Sequence, residues 1–176
     1  MKIVVLQGSP NLQGSTDLLV ENFTKGAQEA GHSVRRFDAC KVDVKPFGGS
    51  VACGFEGSNA DDDNAMIRDA ILESDMVVFA SPLYYYGVTA QLKTIIDRFV
   101  SYNESFIKKH FKTALLSVGE GTDDWTFDST LSFYQTLVRY LEMTDKGSVL
   151  AFGCGNRKQT EASKYPEQAY NLGKSL

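Results

Sequence analysis

No apolar run in the chain approaches the ~20 residues needed to cross a bilayer, and the first one, Ile3-Val4-Val5-Leu6, stops at Gln7-Gly8. That run is too short for a secretory h-region and no small-residue cleavage site follows it, so the expectation is a cytoplasmic protein with no membrane partner. Cysteine is scarce. Cys40, Cys53 and Cys154 are odd in number and widely spaced, with no Cys-x-x-Cys pair, so reduced thiols are expected and a metal site is not. No stripe of positive charge is present either: 18 lysines and arginines are scattered against 22 acids, giving a net charge of −4 and arguing against nucleic acid. His32, near an expected helix end, and His110, in a basic turn, read as surface residues without a catalytic role. The chain shows no internal repeat and no low-complexity segment.

What remains is the composition of a globular domain: 176 residues, 43% hydrophobic and 23% charged, expected to form one domain over 1–176. Short apolar runs alternate with segments of helical period, the pattern of a parallel sheet covered on both faces. Strands are expected at Lys2 to Gln7, Ser33 to Phe37, Met76 to Ala80, Ala114 to Val118 and Ser148 to Phe152. Leu18, Leu19, Phe23 and Ala27 mark one helix, and Ile67, Ala70 and Ile71 a second. Leu92, Ile95, Ile96 and Phe99 mark a third, and Phe127, Leu131, Tyr134, Val138 and Leu141 a fourth. A weakly amphipathic stretch from Tyr165 to Leu172 is expected to pack back across the first strand. The connection Ala39 to Asp63 is long, glycine-rich and aperiodic, as functional loops often are. Its closing acids, Asp61-Asp62-Asp63, read better as caps of the following helix than as a metal cluster.

Directly after the first strand, Gly8-Ser9-Pro10-Asn11-Leu12-Gln13-Gly14-Ser15-Thr16 brings hydroxyls and backbone N–H groups to a helix start, which makes an anion site. The segment holds no lysine or arginine, so an anion there would rest on neutral donors. It is not a Walker A loop, because five residues separate Gly8 from Gly14 and Ser15 stands where lysine is required. Pro10 and Gln13 occupy glycine positions of the dinucleotide fingerprint, which leaves Asp38 little support as a ribose-binding acid. Taken alone, the segment also fits an ordinary strand-to-helix turn. After the third strand comes Ser81-Pro82-Leu83-Tyr84-Tyr85-Tyr86-Gly87-Val88-Thr89, placing aromatics at the edge where doubly wound sheets bind ligands. Such a loop suits a planar apolar ring; a plain surface or dimer contact is the alternative reading.

With Ser74-Asp75, Leu92-Lys93, Asp97-Arg98 and the Asp62-Asp63 pair added to these two loops, the sequence resembles the NAD(P)H-dependent FMN reductases and NAD(P)H:quinone oxidoreductases of the flavodoxin superfamily. The resemblance implies an α/β flavodoxin-like, doubly wound five-stranded parallel sheet of order 2-1-3-4-5. It implies that Ser9, Asn11, Ser15 and Thr16 hold an FMN phosphate, and that Pro82, Leu83, Tyr84, Tyr85 and Gly87 border the isoalloxazine. Gly119, Glu120 and Gly121 would form a third loop, while Lys93, Asp97 and Arg98 would serve structurally, at the surface or in helix contacts. The iron–sulfur branch of the family carries a cysteine cluster after the second strand. Here Phe47 and Ser50 stand at two of those positions and Cys53 is the single match, so a cluster-free relative is expected, with Ala39 to Asp63 as a lid or dimer contact.

The implied activity is transfer of hydride from NADH or NADPH through FMN to a quinone, flavin or similar small acceptor, by a homodimer. Two rival folds are excluded, since the first loop lacks a phosphatase cysteine and the third strand ends Phe79-Ala80-Ser81 rather than in an aspartate. Two other functions stay open: an electron carrier of the flavodoxin type, which the modest net charge disfavours, and a module with a vestigial flavin site. Arg35-Arg36, Lys108-Lys109 and Arg157-Lys158 are the basic pairs that could meet a 2′-phosphate.

Overall fold

The computed structural model describes residues 1–48 and 62–176. Five strands, β1 (Lys2–Gln7), β2 (Ser33–Asp38), β3 (Met76–Pro82), β4 (Lys112–Val118) and β5 (Thr144–Ala151), form one parallel sheet in the order β2-β1-β3-β4-β5. This is the expected flavodoxin-like arrangement. Alternate side chains leave each strand on opposite faces, and the sheet is buried on both. Val4, Leu6, Val77, Phe79 and Leu115 enter one core, while Ile3, Val5, Met76, Val78 and Leu116 enter the other.

Helix α1 (Ser15–Glu29) covers the second of these cores with Leu19, Phe23 and Ala27. Helix α7 (Tyr165–Lys174) lies mainly against α1 and β5, not across β1 as the sequence was read to imply. The reason is a pair of facing glycines: a Cβ on Gly26 would run into the Tyr170 carbonyl, and one on Gly173 into the Phe23 carbonyl. The two helix backbones touch where no other residue would fit.

The opposite face carries α2 (Asn64–Leu72), α3 (Ala90–Asp97), α4 (Asn103–Lys109) and α5 (Asp128–Tyr140). The third helix is shorter than its apolar period implies, because α3 tightens at Arg98 into a 3-10 turn reaching Tyr102. Phe99 rides on that turn and packs on Phe106 of α4 at 4.7 Å between ring centroids, and Phe106 on Phe111 at 4.7 Å. The strands also run longer than their apolar cores, β5 by the exposed residues Thr144, Asp145 and Lys146. Among the described residues, no helix is long and apolar enough to cross a membrane.

The described ends of the connection after β2 are fastened together. Asp63 N–H donates to the Asp43 carbonyl at 2.8 Å and Asp43 N–H to the Asp63 carboxylate at 2.8 Å. Arg98, fully buried, places Nη1 2.6 Å from Asp62 Oδ2 and 2.9 Å from the Lys45 carbonyl. Burial alone would raise the Asp62 carboxyl, but the N–H groups of Lys45 and Asn64 and the Arg98 guanidinium hold it below the usual carboxylate range. Asp62 does accept the first N–H of α2, from Asn64 at 3.0 Å, so the capping expectation holds for it, whereas Asp63 turns away to Asp43. Arg98 therefore has no surface role, unlike Lys93 and Asp97, which form a half-exposed ion pair at 2.6 Å. Asp61, Ser50 and Cys53 lie outside the described residues.

Candidate functional site

The carboxyl ends of β1, β3 and β4 are held in register by three hydroxyls. Thr89 Oγ1 donates to the Gly8 carbonyl at 2.7 Å and accepts the Leu92 N–H at 3.3 Å, so one side chain caps α3 and fixes the loop after β1. Thr89 N–H in turn donates to Ser81 Oγ at 3.0 Å, and Ser117 Oγ on β4 donates to the Ser81 carbonyl at 3.0 Å. Gly8 must be glycine, because a Cβ there would sit 2.8 Å from both Leu92 Cβ and Thr89 Oγ1. These buried bonds make a rigid base for the loops above them.

The first loop folds on itself. Ser9 Oγ accepts the Asn11 N–H at 3.1 Å, Asn11 Oδ1 accepts the Gln13 N–H at 3.2 Å, and Gly14 N–H returns to the Asn11 carbonyl at 3.2 Å. Gly14 caps α1 without a side-chain bond, and the first intrahelical donor is Leu18. The N–H groups of Ser15, Thr16 and Asp17 thus stand at the positive end of the helix. Ser15 Oγ is buried and has no hydrogen-bond partner. Asp17, in the same turn, is desolvated by burial, which raises its carboxyl against the opposing pull of Arg36 at 2.6 Å; Arg157 lies 3.7 Å from its other oxygen.

Ser15 borders a cavity of about 210 Å³ together with Ser9, Asn11 and Gly14 of the first loop. Its other walls are Pro82, Leu83 and Tyr84 of the second loop and Gly119 and Glu120 of the third. A larger cavity of about 380 Å³ adjoins it, sharing Leu83, Gly119 and Glu120 and adding Tyr85, Tyr86, Gly121 and Thr126. Ten of the twelve expected site residues therefore meet at two joined cavities. Thr16 is buried and lines neither, and Gly87 lines neither, serving instead to close the second loop. Cys154, Gly155 and Val118 also line the smaller cavity; the sequence reading missed them.

Tyr84 and Gly87 exchange N–H···O bonds of 3.1 and 3.3 Å, closing a two-residue turn with Tyr85 at φ +50° and Tyr86 at φ +63°. Turns of this hand favour Asn-Gly, since a side chain in the left-handed region costs roughly 1–2 kcal/mol. The Tyr86 carbonyl accepts Thr130 Oγ1 at 2.9 Å and its ring meets Trp125 at 5.2 Å, which holds the strained turn in place.

Of the basic pairs, Arg36 is tied to Asp17 and Asp38, and Arg157 to Asp17, Glu21 and Glu161. Lys108 pairs with Glu104, and Lys109 lies over the Phe111 ring. Asp38 meets Arg36 and Lys41, which accounts for it without a ribose.

A family model for NADPH-dependent FMN reductase matches residues 1–156, the stretch that carries all three loops. The chain belongs to that family. An iron–sulfur flavoprotein of Archaeoglobus fulgidus is 33% identical over 103 residues, covering 58% of this chain and 47% of that protein. The chain thus spans about half the length of the iron–sulfur flavoproteins it matches, which include one of Methanocaldococcus jannaschii at 51%. A Bacillus subtilis protein provisionally named an NAD(P)H-dependent FMN-containing oxidoreductase is 26% identical over 167 residues, covering 89% of this chain and 87% of that one. In fold, the chain is similar to an NAD(P)H:quinone oxidoreductase from Methanothermobacter marburgensis, with TM-score 0.78, 19% identity and coverage of 100% and 96%. Family membership and fold thus agree with the sheet order.

Proposed function

We propose that this member of the family binds FMN across the two joined cavities and passes hydride from NADH or NADPH to a quinone, a flavin or a similar small acceptor. The observation that carries the proposal is Ser15 Oγ, a buried donor without a partner at a helix N-terminus, on the wall of a cavity that leads to Leu83 and Gly119. A phosphate satisfies that hydroxyl and the helix N–H groups together. Bound there, the cofactor supplies the redox chemistry, which needs no nucleophile or acid–base group from the protein.

The chain's own contribution is placement. Ser9 and Asn11 shape the phosphate end by bonding to each other, and Thr16 contributes its backbone N–H rather than its hydroxyl. Leu83 and Tyr84 offer apolar surface to a ring, and Gly119 lets the third loop close on Leu83, since a Cβ there would lie 2.9 Å from Leu83 Cδ1. The adjoining cavity gives a second planar molecule access, which favours a reductase over a carrier that covers both faces of its flavin. Tyr85 is fully exposed and Tyr84, Tyr86 and Trp125 about half exposed, an aromatic surface that a second copy of the chain would cover in a homodimer.

An anaerobic mix of FMN-loaded protein with NADH or NADPH tests the reading. Rapid bleaching of the flavin, reversed by added quinone, is the expected result; bleaching by dithionite alone would make the protein an electron carrier, and failure to take up FMN would sink both. Phe47 interrupts the cysteine pattern of the iron–sulfur relatives, so protein purified without air is expected to hold no iron or acid-labile sulfide. Several equivalents of iron per chain would overturn that part.

A further inference from the structure

We infer that the larger cavity selects the acceptor by charge, admitting neutral and cationic planar rings and disfavouring anionic ones. The inference rests on the FMN reading above. The cavity is lined by Leu83, Tyr85 and Tyr86 of the second loop and by Gly119, Gly121 and Thr126, and its volume of about 380 Å³ suits a small aromatic molecule. Among the described residues, Glu120 is the only acid or base that lines either cavity, and it lines both.

Among the described residues that line the two cavities with Glu120, none is basic. The same loop continues through Asp123 and Asp124, both exposed, before reaching Trp125. Arg36 and Arg157, which approach the start of α1, are already shared among three carboxylates besides Asp17: Asp38 for the first, and Glu21 and Glu161 for the second, with Asp17 common to both. An acceptor bearing a sulfonate or a phosphate would therefore meet charge of its own sign and, among the described lining residues, no cation, whereas a trimethylammonium group would be attracted. At the separations of such a cavity, one unit charge against one partly solvated carboxylate changes affinity by about fivefold to tenfold at low ionic strength, less as salt rises.

The test uses FMN-loaded, oxidised protein without nicotinamide, and an anthraquinone in three forms that differ in one substituent: hydroxymethyl, sulfonate and trimethylammonium. Trp125, the only tryptophan, packs at a tilt against Tyr86 of the cavity wall, 5.2 Å between ring centroids, so quenching of its fluorescence reads binding. The expected result is a sulfonate Kd about fivefold to tenfold above that of the neutral form, with the cation at or below neutral. The gap should shrink in 0.5 M salt, about five times the ionic strength at which the screening length is ~10 Å. It should close in the variant Glu120→Gln/Asp123→Asn/Asp124→Asn. Equal or tighter binding of the sulfonate, or a gap that survives the triple substitution, overturns the inference. Protein that takes up FMN but fails these comparisons loses the charge selection alone, whereas protein that takes up no FMN loses the proposed function as well.

Discussion

Between Gly8 and Thr16 the chain ties Ser9, Asn11 and Gly14 to one another and buries the unpaired Ser15 hydroxyl, whereas between Leu83 and Gly87 it exposes three tyrosines and holds two of them at positive φ. Both loops rest on the same Thr89 and Ser81 bonds. The first keeps its shape through its own hydrogen bonds, which suits the proposed phosphate site, whose donors must be in place before a ligand arrives. The second stores strain in the backbone in order to aim aromatic surface outward, a bargain seen where residues are placed for a ligand. The contrast locates stability at one end of the site and binding surface at the other.

A substitution outside both loops sets the scale of the largest effect. Arg98→Met leaves the Asp62 carboxylate buried without its cation and should cost about 3–5 kcal/mol in urea unfolding, with most of the loss recovered in Arg98→Met/Asp62→Leu. Because folding lowers the Asp62 carboxyl below its ordinary value, the pair's contribution is complete above that ordinary value and is lost as pH falls through the lowered one. The Arg98→Met protein should show less of that acid-side dependence, because the Lys45 and Asn64 N–H groups still bond the carboxylate.

Thr89→Val acts on both loops at once. It removes the helix cap and leaves the Gly8 carbonyl without its donor, for an expected loss of about 2–3 kcal/mol and weaker FMN binding in a fluorescence titration. Should stability fall while FMN affinity holds, the two loops do not share a base. Replacing the turn with Tyr85→Asn/Tyr86→Gly should instead stabilise the fold by about 1.5 kcal/mol, net of the lost contact with Trp125. The same variant should bind planar acceptors less well. A variant that is both more stable and equally good at binding would mean the strain has no bearing on the site. The smallest effect belongs to Ser15→Ala, expected to weaken FMN by about fivefold, the equivalent of ~1 kcal/mol for one neutral hydrogen bond, with no change in unfolding midpoint of the FMN-free protein.

Strand cores and the two glycine- and tyrosine-bearing loops were readable because apolar runs and turn residues are local signals. Strand ends were not, since Thr144 and Asp145 join the sheet edge by pairing with Lys112 and Thr113, which leaves no apolar trace. Helix α4 escaped notice because Phe106 is its single buried residue. Helix α6 (Arg157–Glu161) did carry a sign, the capping box of Asn156 and Gln159. The place of α7 could not be read, as Gly26 and Gly173 have meaning only when the two helices are set face to face. Within the site, Gly155 and Cys154 follow β5 at the same sheet edge, so the rule that placed the other loops reaches them too. The burial of Arg98 was hidden for another reason: a helix charge beside Lys93 and Asp97 looks solvated until its partner, dozens of residues upstream, is folded against it.

That partner has a consequence for how the family can vary. Asp43, Lys45, Asp62 and Asp63 bring the described ends of one connection to a single fastening point, so the closure of that connection is set by its ends. Doubling its length would add only about 0.6 kcal/mol of closure entropy. The fastening works like a socket, in which inserts of different length and chemistry, a metal-binding one among them, can be exchanged over evolutionary time without redesigning the domain that carries them.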